Sequence, residues 1–198
     1  MREHRTAAIT RKTNETDVRL FLDIDGGGRS LIDTGVGFLN HMLNLFAAHG
    51  QFSLNVACLG DIDVDDHHSV EDIGIALGQA FAEALGEKRG IRRYGSCILP
   101  MDEALILAAV DFSGRAHLTF DAVMPTQKVG NFDTELVKEF WLGFVRNANC
   151  SLHLREIAGD NTHHIIEGMF KAAARAVRAA TEFDPELKGE LPSTKGVL

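Results

Sequence analysis

The 198-residue chain contains its own repeat. SLNV at 53–56 matches SLHL at 151–154, an offset of 98, and DDHHSVED at 65–72 matches NTHHIIEG at 161–168, an offset of 96. The two-residue difference falls in the loop before each helix, where length is free to vary. A chain written this way folds as two copies of one supersecondary unit. Neither copy alone buries both faces of its helices, so the copies must pack on each other.

The elements follow from periodicity. In the first half, 6–12 and 17–24 read as strands; Val18, Leu20, Leu22 and Ile24 alternate and Gly26-Gly27-Gly28 ends the run. From Val36 to Ala48 the apolar spacing is helical, and 51–57 alternates again. Asp65 and Asp66 supply an N-cap signal for a helix to about Leu85. In the second half, 96–99, 105–111 and 115–123 read as strands, and Asp133 or Thr134 can cap a helix through about Arg146. Ser151–Ile157 is a strand, and Asn161 or Thr162 caps a helix to about Thr181. Pro185 and Pro192 mark a loose tail. The expected fold is α+β: two half-repeats (1–92 and 93–190) forming one structural unit, with a tail at 191–198. Each half reads strand–strand–helix–strand–helix, with an extra strand available in the second. Each is expected to be an antiparallel sheet with helices on one face, the pair related by a pseudo-twofold.

Net charge is −8, which disfavours a general nucleic-acid binder, since that role needs a broad basic face. A few local cations could still hold one small anion. Cys58, Cys97 and Cys150 are odd in number and have no CxxC spacing, so they read as reduced thiols of a cytoplasmic protein. The N-terminal segment has no apolar core of a secretory signal, and no apolar run reaches membrane-spanning length.

The repeat carries chemistry. His67, His68 and Glu71 form one His-His-x-x-Glu motif; His163, His164 and Glu167 form the other. Residues four apart share a helix face, so His67 converges with Glu71 and His163 with Glu167. His68 and His164 point about 100° away, toward a second site. The two helices could complete each other: His67, Glu71 and His164 around one ion, His163, Glu167 and His68 around the other. His41 lies in the preceding helix, and the offset of 98 maps it onto Glu139, so these two are the expected fourth ligands. Imidazole–carboxylate sets with open positions suit Mn²⁺, Fe²⁺ or Zn²⁺. In HExxH proteases the Glu lies between the histidines; here it follows them, which makes it a ligand rather than a free base.

Cations available for an anion are Arg92 and Arg93 between the halves, Arg115 after a Ser-Gly turn, and Lys195, with Ser193, in PSTKG. Lys171 stands four residues after Glu167, on the ligand's own face. Such residues favour an enzyme acting on a phosphate compound over a metal store, sensor or shell, which needs no phosphate cradle. A dinuclear metallohydrolase is the nearest enzymatic rival.

Seven strings sharpen this: DTGVGFLNHML (33–43), HGQF (49–52), DDHHSVEDIGIALGQA (65–80), PMDEAL (100–105), SLHL (151–154), NTHHIIEGMFKA (161–172) and PSTKG (192–196). The chain resembles the imidazoleglycerol-phosphate dehydratase family of histidine biosynthesis from about residue 5 to 196. The resemblance implies a duplicated half-domain fold, two Mn²⁺ per active site, and a homo-24-mer built from trimers in which ligands come from more than one subunit. It implies His41, His67, His68, Glu71, His163, His164 and Glu167 as ligands, with Glu139 where several relatives have His. It places the phosphate on Arg93, Arg115, Lys171, Ser193 and Lys195, and makes Glu15 and His49 substrate-proximal. Leu45 replaces a residue that is polar in some relatives. The implied reaction removes water from D-erythro-imidazoleglycerol phosphate to give imidazoleacetol phosphate. The proton leaves an unactivated carbon and hydroxide is a poor leaving group, a difficulty that Lewis-acidic ions ease. Glu167, Glu71 and His41 form the expected catalytic set, Glu167 as base and Glu71 as its structural mate.

Overall fold

The computed structural model describes residues 4–198; Met1–Glu3, the start of the first expected half-repeat, lie outside the described residues. The first half runs β1 (Thr6–Lys12), β2 (Thr16–Asp23), β3 (Ser30–Asp33), α1 (Gly37–Gly50), β4 (Ser53–Gly60) and α2 (His67–Leu85). The second runs β5 (Tyr94–Met101), β6 (Ala104–Asp111), β7 (His117–Asp121), a small hairpin β8 (Lys128–Val129) and β9 (Phe132–Asp133), then α3 (Leu136–Ala148), β10 (Ser151–Ala158) and α4 (Thr162–Thr181). The sheets have equivalent strand orders, β1-β2-β4-β3 and β5-β6-β10-β7. This is the duplicated α+β fold expected from the repeat.

Two details differ from the expectation. The first half also has a third strand before its first helix. β3 is only four residues long and mostly exposed, so no alternation marks it. Each sheet is antiparallel over three strands, but its last strand pairs in parallel: β3 with β4, and β7 with β10. A helix separates the partners in each case, which is the crossover that parallel pairing requires.

The helices fill the space between the sheets. Strand residues Val18, Leu20 and Leu22, and Ala108, Leu152 and Leu154, point inward and are buried. α2 packs on β1 and β2, α4 on β5 and β6; the helix layers then meet as α2 on α3 and α1 on α4. Aromatic rings bridge the halves: Phe46 stands 6.2 Å from Trp141, and Phe81 stands 5.6 Å from Phe144. These rings are almost fully buried, so each removes a large apolar surface from water as the copies pack together.

Small residues set the α2–α3 spacing. A Cβ on Gly74 would sit 2.3 Å from the Phe140 carbonyl oxygen, and one on Gly78 2.4 Å from that of Phe144. The repeat equivalents of these glycines are Phe170 and Ala174, and the Phe170 ring packs on Phe140 and Trp141 of α3. Gly74→Ala gains about 1 kcal/mol of helix propensity, but it drives a methyl into backbone that cannot move aside. Overpacking of this kind costs about 3 kcal/mol. The expected net result is a thermal midpoint lowered by roughly 5 °C, read by calorimetry.

The caps are only partly as expected. Asn161 accepts from the backbone N–H groups of His163 and His164, and so caps α4. Asp65, rather than Asp66, accepts from His67 N at 2.8 Å at the start of α2. Asp133 is in β9 and Thr134 donates to the Thr126 and Gln127 carbonyls, so neither caps α3, which starts after Glu135 without a side-chain cap. The expected loose tail is in fact stitched down. Gly90 N donates to Glu190 O, Asp184 N to Gly90 O and Arg92 N to Glu182 O, joining the end of the chain to the segment between the halves. All three cysteines are free, and Cys58 and Cys150 are buried.

Candidate metal centre

Three ligand atoms converge where α1 meets α4. His41 Nε2 lies 3.2 Å from Glu167 Oε2, and His163 Nε2 lies 3.1 Å from the same oxygen. Among the described residues this is the one group of three His, Cys, Asp or Glu side chains whose ligand atoms all lie within 4.8 Å of one another. Its geometry follows from the sequence: His163 and Glu167 share a face of α4, and the α1–α4 contact carries His41 across to them. Ligands about 2.1 Å from one ion at right angles are separated by about 3 Å, so the spacing fits a divalent cation. The donor set fits as well, with two imidazoles and one anionic carboxylate.

Glu167 is 7% exposed. Burial alone would push its carboxyl upward; hydrogen bonds from Lys171, His163 and His41 outweigh that and hold it at about 2. The strongest contact is Lys171 Nζ to Oε1 at 2.6 Å. The two carboxylate oxygens are thus divided: Oε1 faces the lysine and Oε2 faces the histidines.

The other motif is looser. His67 Nε2 stands 3.9 Å from Glu71 Oε2, and both side chains are well exposed. Among the described residues no third His, Cys, Asp or Glu closes on them: Glu139, expected as the counterpart of His41, sits in the first turn of α3 outside any ligand cluster. The expected mutual completion of the two motifs does not occur within one chain. α2 packs on α3 and α4 on α1, so the His67/Glu71 pair and the His163/Glu167 pair are held on different helix pairs. His68 turns to Asp61, with Nδ1 3.0 Å from Oδ2, and His164 turns to Glu103, with Nδ1 2.7 Å from Oε2. Each motif therefore presents half a site.

A family model described as imidazoleglycerol-phosphate dehydratase matches residues 34–177, a span that includes all three converging side chains and both motifs. The chain belongs to the imidazoleglycerol-phosphate dehydratase family. An imidazoleglycerol-phosphate dehydratase of Acetivibrio thermocellus is 56% identical over 190 residues, covering 96% of this chain and 97% of its own. One from Jannaschia is 55% identical over 194 residues, covering 98% and 100%. The crystal structure of the Staphylococcus aureus dehydratase superposes with a TM-score of 0.83 at 44% identity, covering 90% of this chain and 99% of that one. The Pyrococcus furiosus structure does so at 0.83 and 35%, covering 96% and 100%. A hydro-lyase fold and a hydro-lyase identity therefore go together here.

In this dehydratase the residues expected to hold phosphate fall in two places. The C-terminal segment folds back on the Ser113–Arg115 turn, where a Cβ on Gly114 would sit 2.5 Å from the Leu198 carbonyl carbon. Arg93 joins them, its Nη1 donating to Pro192 O at 2.9 Å. Its Nε and Nη2 donate to Asp111, which raises the guanidinium above its ordinary value. Three of its five N–H donors are thereby engaged, which leaves two. Arg115 Nη1 reaches only its own turn, at Ser113 O, and Ser193 Oγ donates to Val197 O, closing a small loop that carries Lys195. Lys171 is elsewhere. Arg93 N bonds Ala180 O near the end of α4, nine residues and about 13 Å of helix beyond Lys171. One chain does not gather the whole set.

His49, near the end of α1, is lowered first by burial and then by the charges of Lys171 and Arg175. It lines a cavity of about 280 Å³ with Arg175 and Arg178. Glu15 is near the other motif: its carbonyl accepts from Asp61 N, and its charge helps to raise His68, after the larger effect of Asp61. A cleft of about 720 Å³ opens beside His41, between the 62–66 segment and the β8–β9 hairpin. Asp61 and Glu103 were not singled out from the sequence. They lie 7 and 61 residues from their histidines, and no local spacing connects them.

Proposed function

We propose that this chain dehydrates D-erythro-imidazoleglycerol phosphate to imidazoleacetol phosphate in histidine biosynthesis, as a Mn²⁺-dependent cytoplasmic enzyme with two ions per active site. The observation that carries this is the convergence of His41, His163 and Glu167 beside Lys171 in a member of this dehydratase family. One ion would be held by His41 of α1 with His163 and Glu167 of α4, and the other by His67 and Glu71 of α2 with Glu139 of α3, with His68 and His164 offered outward. When bound, they supply Lewis acidity to the imidazole end of the substrate.

The chain's own residues account for the remaining chemistry. Glu167 is ionised, but a carboxylate held at about 2 is a weak base. Freed from Lys171 and the two imidazoles, the same buried carboxylate becomes more basic, because desolvation then acts unopposed. Glu167 thus takes the proton after it shifts out of those contacts when substrate binds, while Glu71, more exposed, stays structural. Lys171, released by that shift, is free to meet the substrate's negative charge, with His49 and Glu15 lining the approach.

The half-sites and the divided phosphate set support completion between subunits, which accords with a homo-24-mer built from trimers. The sheets also leave large apolar groups uncovered on their outer faces, including Leu31 and Leu59. Such groups suit burial against further copies of the chain. The functional division of the chain into 1–92, 93–190 and a phosphate-binding tail at 191–198 is part of the same reading.

The direct test is steady-state turnover of imidazoleglycerol phosphate by Mn²⁺-loaded protein. Absence of turnover in folded, loaded protein rejects the reading, and turnover of simple phosphomonoesters instead would favour a hydrolase. The phosphate assignment has its own test. Arg93→Ala removes two free N–H donors and also releases the tail at Pro192, so KM should rise at least about 10-fold, equivalent to losing one charged hydrogen bond. An unchanged KM rejects the assignment.

A further inference from the structure

The two outward histidines share a geometry that their repeat does not explain. His68 Nδ1 lies 3.0 Å from Asp61 Oδ2, and His164 Nδ1 lies 2.7 Å from Glu103 Oε2. The histidines are repeat equivalents; the carboxylates are not. Asp61 follows β4 in a turn in which Val64 N donates to Asp61 O, and its own N–H donates to Glu15 O. Glu103 sits in the two-residue turn between β5 and β6, next to Asp102 in the left-handed region at φ 50°. The two carboxylates come from non-equivalent elements, so the repeat does not carry one contact onto the other, yet each half places a carboxylate on the same ring nitrogen.

We propose that Asp61 and Glu103 are positioning residues that set the tautomer and ring orientation of His68 and His164. A carboxylate accepts only from a protonated Nδ1, so the proton resides there and the Nε2 lone pair is left for a metal ion. Glu103 does more than accept one bond. Its Oε1 takes Asn161 N at 3.0 Å, and Asn161 Oδ1 caps His163 N at 2.9 Å. One carboxylate thereby ties the hairpin to the cap of α4 and to the His164 ring, fixing the histidine's position and its donor together. The His164 Nε2 lies 3.8 Å from Asp102 Oδ2, beyond hydrogen-bond distance, and is open. The inference rests on the reading of both motifs as metal ligands.

The test is Mn²⁺ affinity, measured by the electron paramagnetic resonance signal of free Mn²⁺ during titration of the full-length protein. Glu103→Ala is expected to weaken binding about 10- to 100-fold, the range found when such partners are removed from ligating histidines. Glu103→Gln, which still accepts from Nδ1–H, recovers most of that loss. In a His164→Ala background Glu103→Ala has a much smaller further effect, the remainder arising from the Asn161 cap beside His163. Asp61→Ala, Asp61→Asn and His68→Ala form the matching series, and cover the case in which Glu103→Ala fails to fold. Unchanged affinity in the carboxylate variants while His164→Ala and His68→Ala lose binding overturns the positioning role alone. So does an equal loss with and without His164. Unchanged affinity in both histidine variants overturns the metal-ligand reading, and the positioning role with it.

Discussion

Removing divalent metal from this dehydratase is expected to reduce turnover to below about 1% of the loaded enzyme, with recovery on addition of Mn²⁺. The expectation rests on the side chains present. No group of the centre is a strong acid poised to protonate a leaving hydroxyl. Glu167 is ionised and bound by Lys171, and the neighbouring side chains that contact it are the imidazoles of His41 and His163. A chelated protein therefore retains a folded pocket in which Lys171 is paired with Glu167 and no Lewis acid stabilises the departing oxygen. The same titration has a second readout. An ion that binds only the folded state at 100 times its Kd adds about 2.7 kcal/mol of stability, so the thermal midpoint should climb with Mn²⁺ concentration. Activity that survives exhaustive chelation would remove metal from the mechanism; a midpoint that ignores Mn²⁺ would remove it from the His41–His163–Glu167 cluster.

Glu167→Gln is expected to lower kcat by roughly 100-fold or more, with a smaller change in KM. The amide keeps the size and one acceptor oxygen, so it can still meet a metal ion or the Lys171 ammonium. It cannot accept a proton. The substitution also acts indirectly, since Lys171 is itself mostly buried and loses its anionic partner. Metal content and the thermal midpoint of the variant distinguish the two causes: a base leaves both near the parent values while turnover collapses. Near-normal kcat in fully loaded Glu167→Gln protein rejects Glu167 as the base. Glu71→Gln is the natural comparison, because the repeat makes it equivalent in sequence while the structure gives it a looser, more exposed setting.

Much of this molecule is legible in its sequence because its two strongest signals are local. The His163–Glu167 pairing needs only the helical period, and the α4 cap needs only Asn161 ahead of two backbone N–H groups. The duplication itself comes from matching strings. β3 was missed for the opposite reason: four residues at a sheet edge bury too little to leave a pattern. The caps expected at Asp133 and Thr134 are not made because Asp133 is paired in β9 and the Thr134 hydroxyl donates to the Thr126 and Gln127 carbonyls.

The repeat and the two motifs, which determine the fold class, the helices that carry the ligands and the pairing of His with Glu four residues on, belong to the sequence alone. Only the tertiary structure decided that His41 joins His163 and Glu167 while Glu139 remains outside any cluster, that the motifs lie on separate helix pairs, and that Lys171 is parted from the Arg93 group. The reason is geometric. A helical period fixes which neighbours share a face over a few ångströms, but contacts between elements depend on how closely the helices approach. That approach is set by residues elsewhere, as glycine at 74 and 78 sets it between α2 and α3.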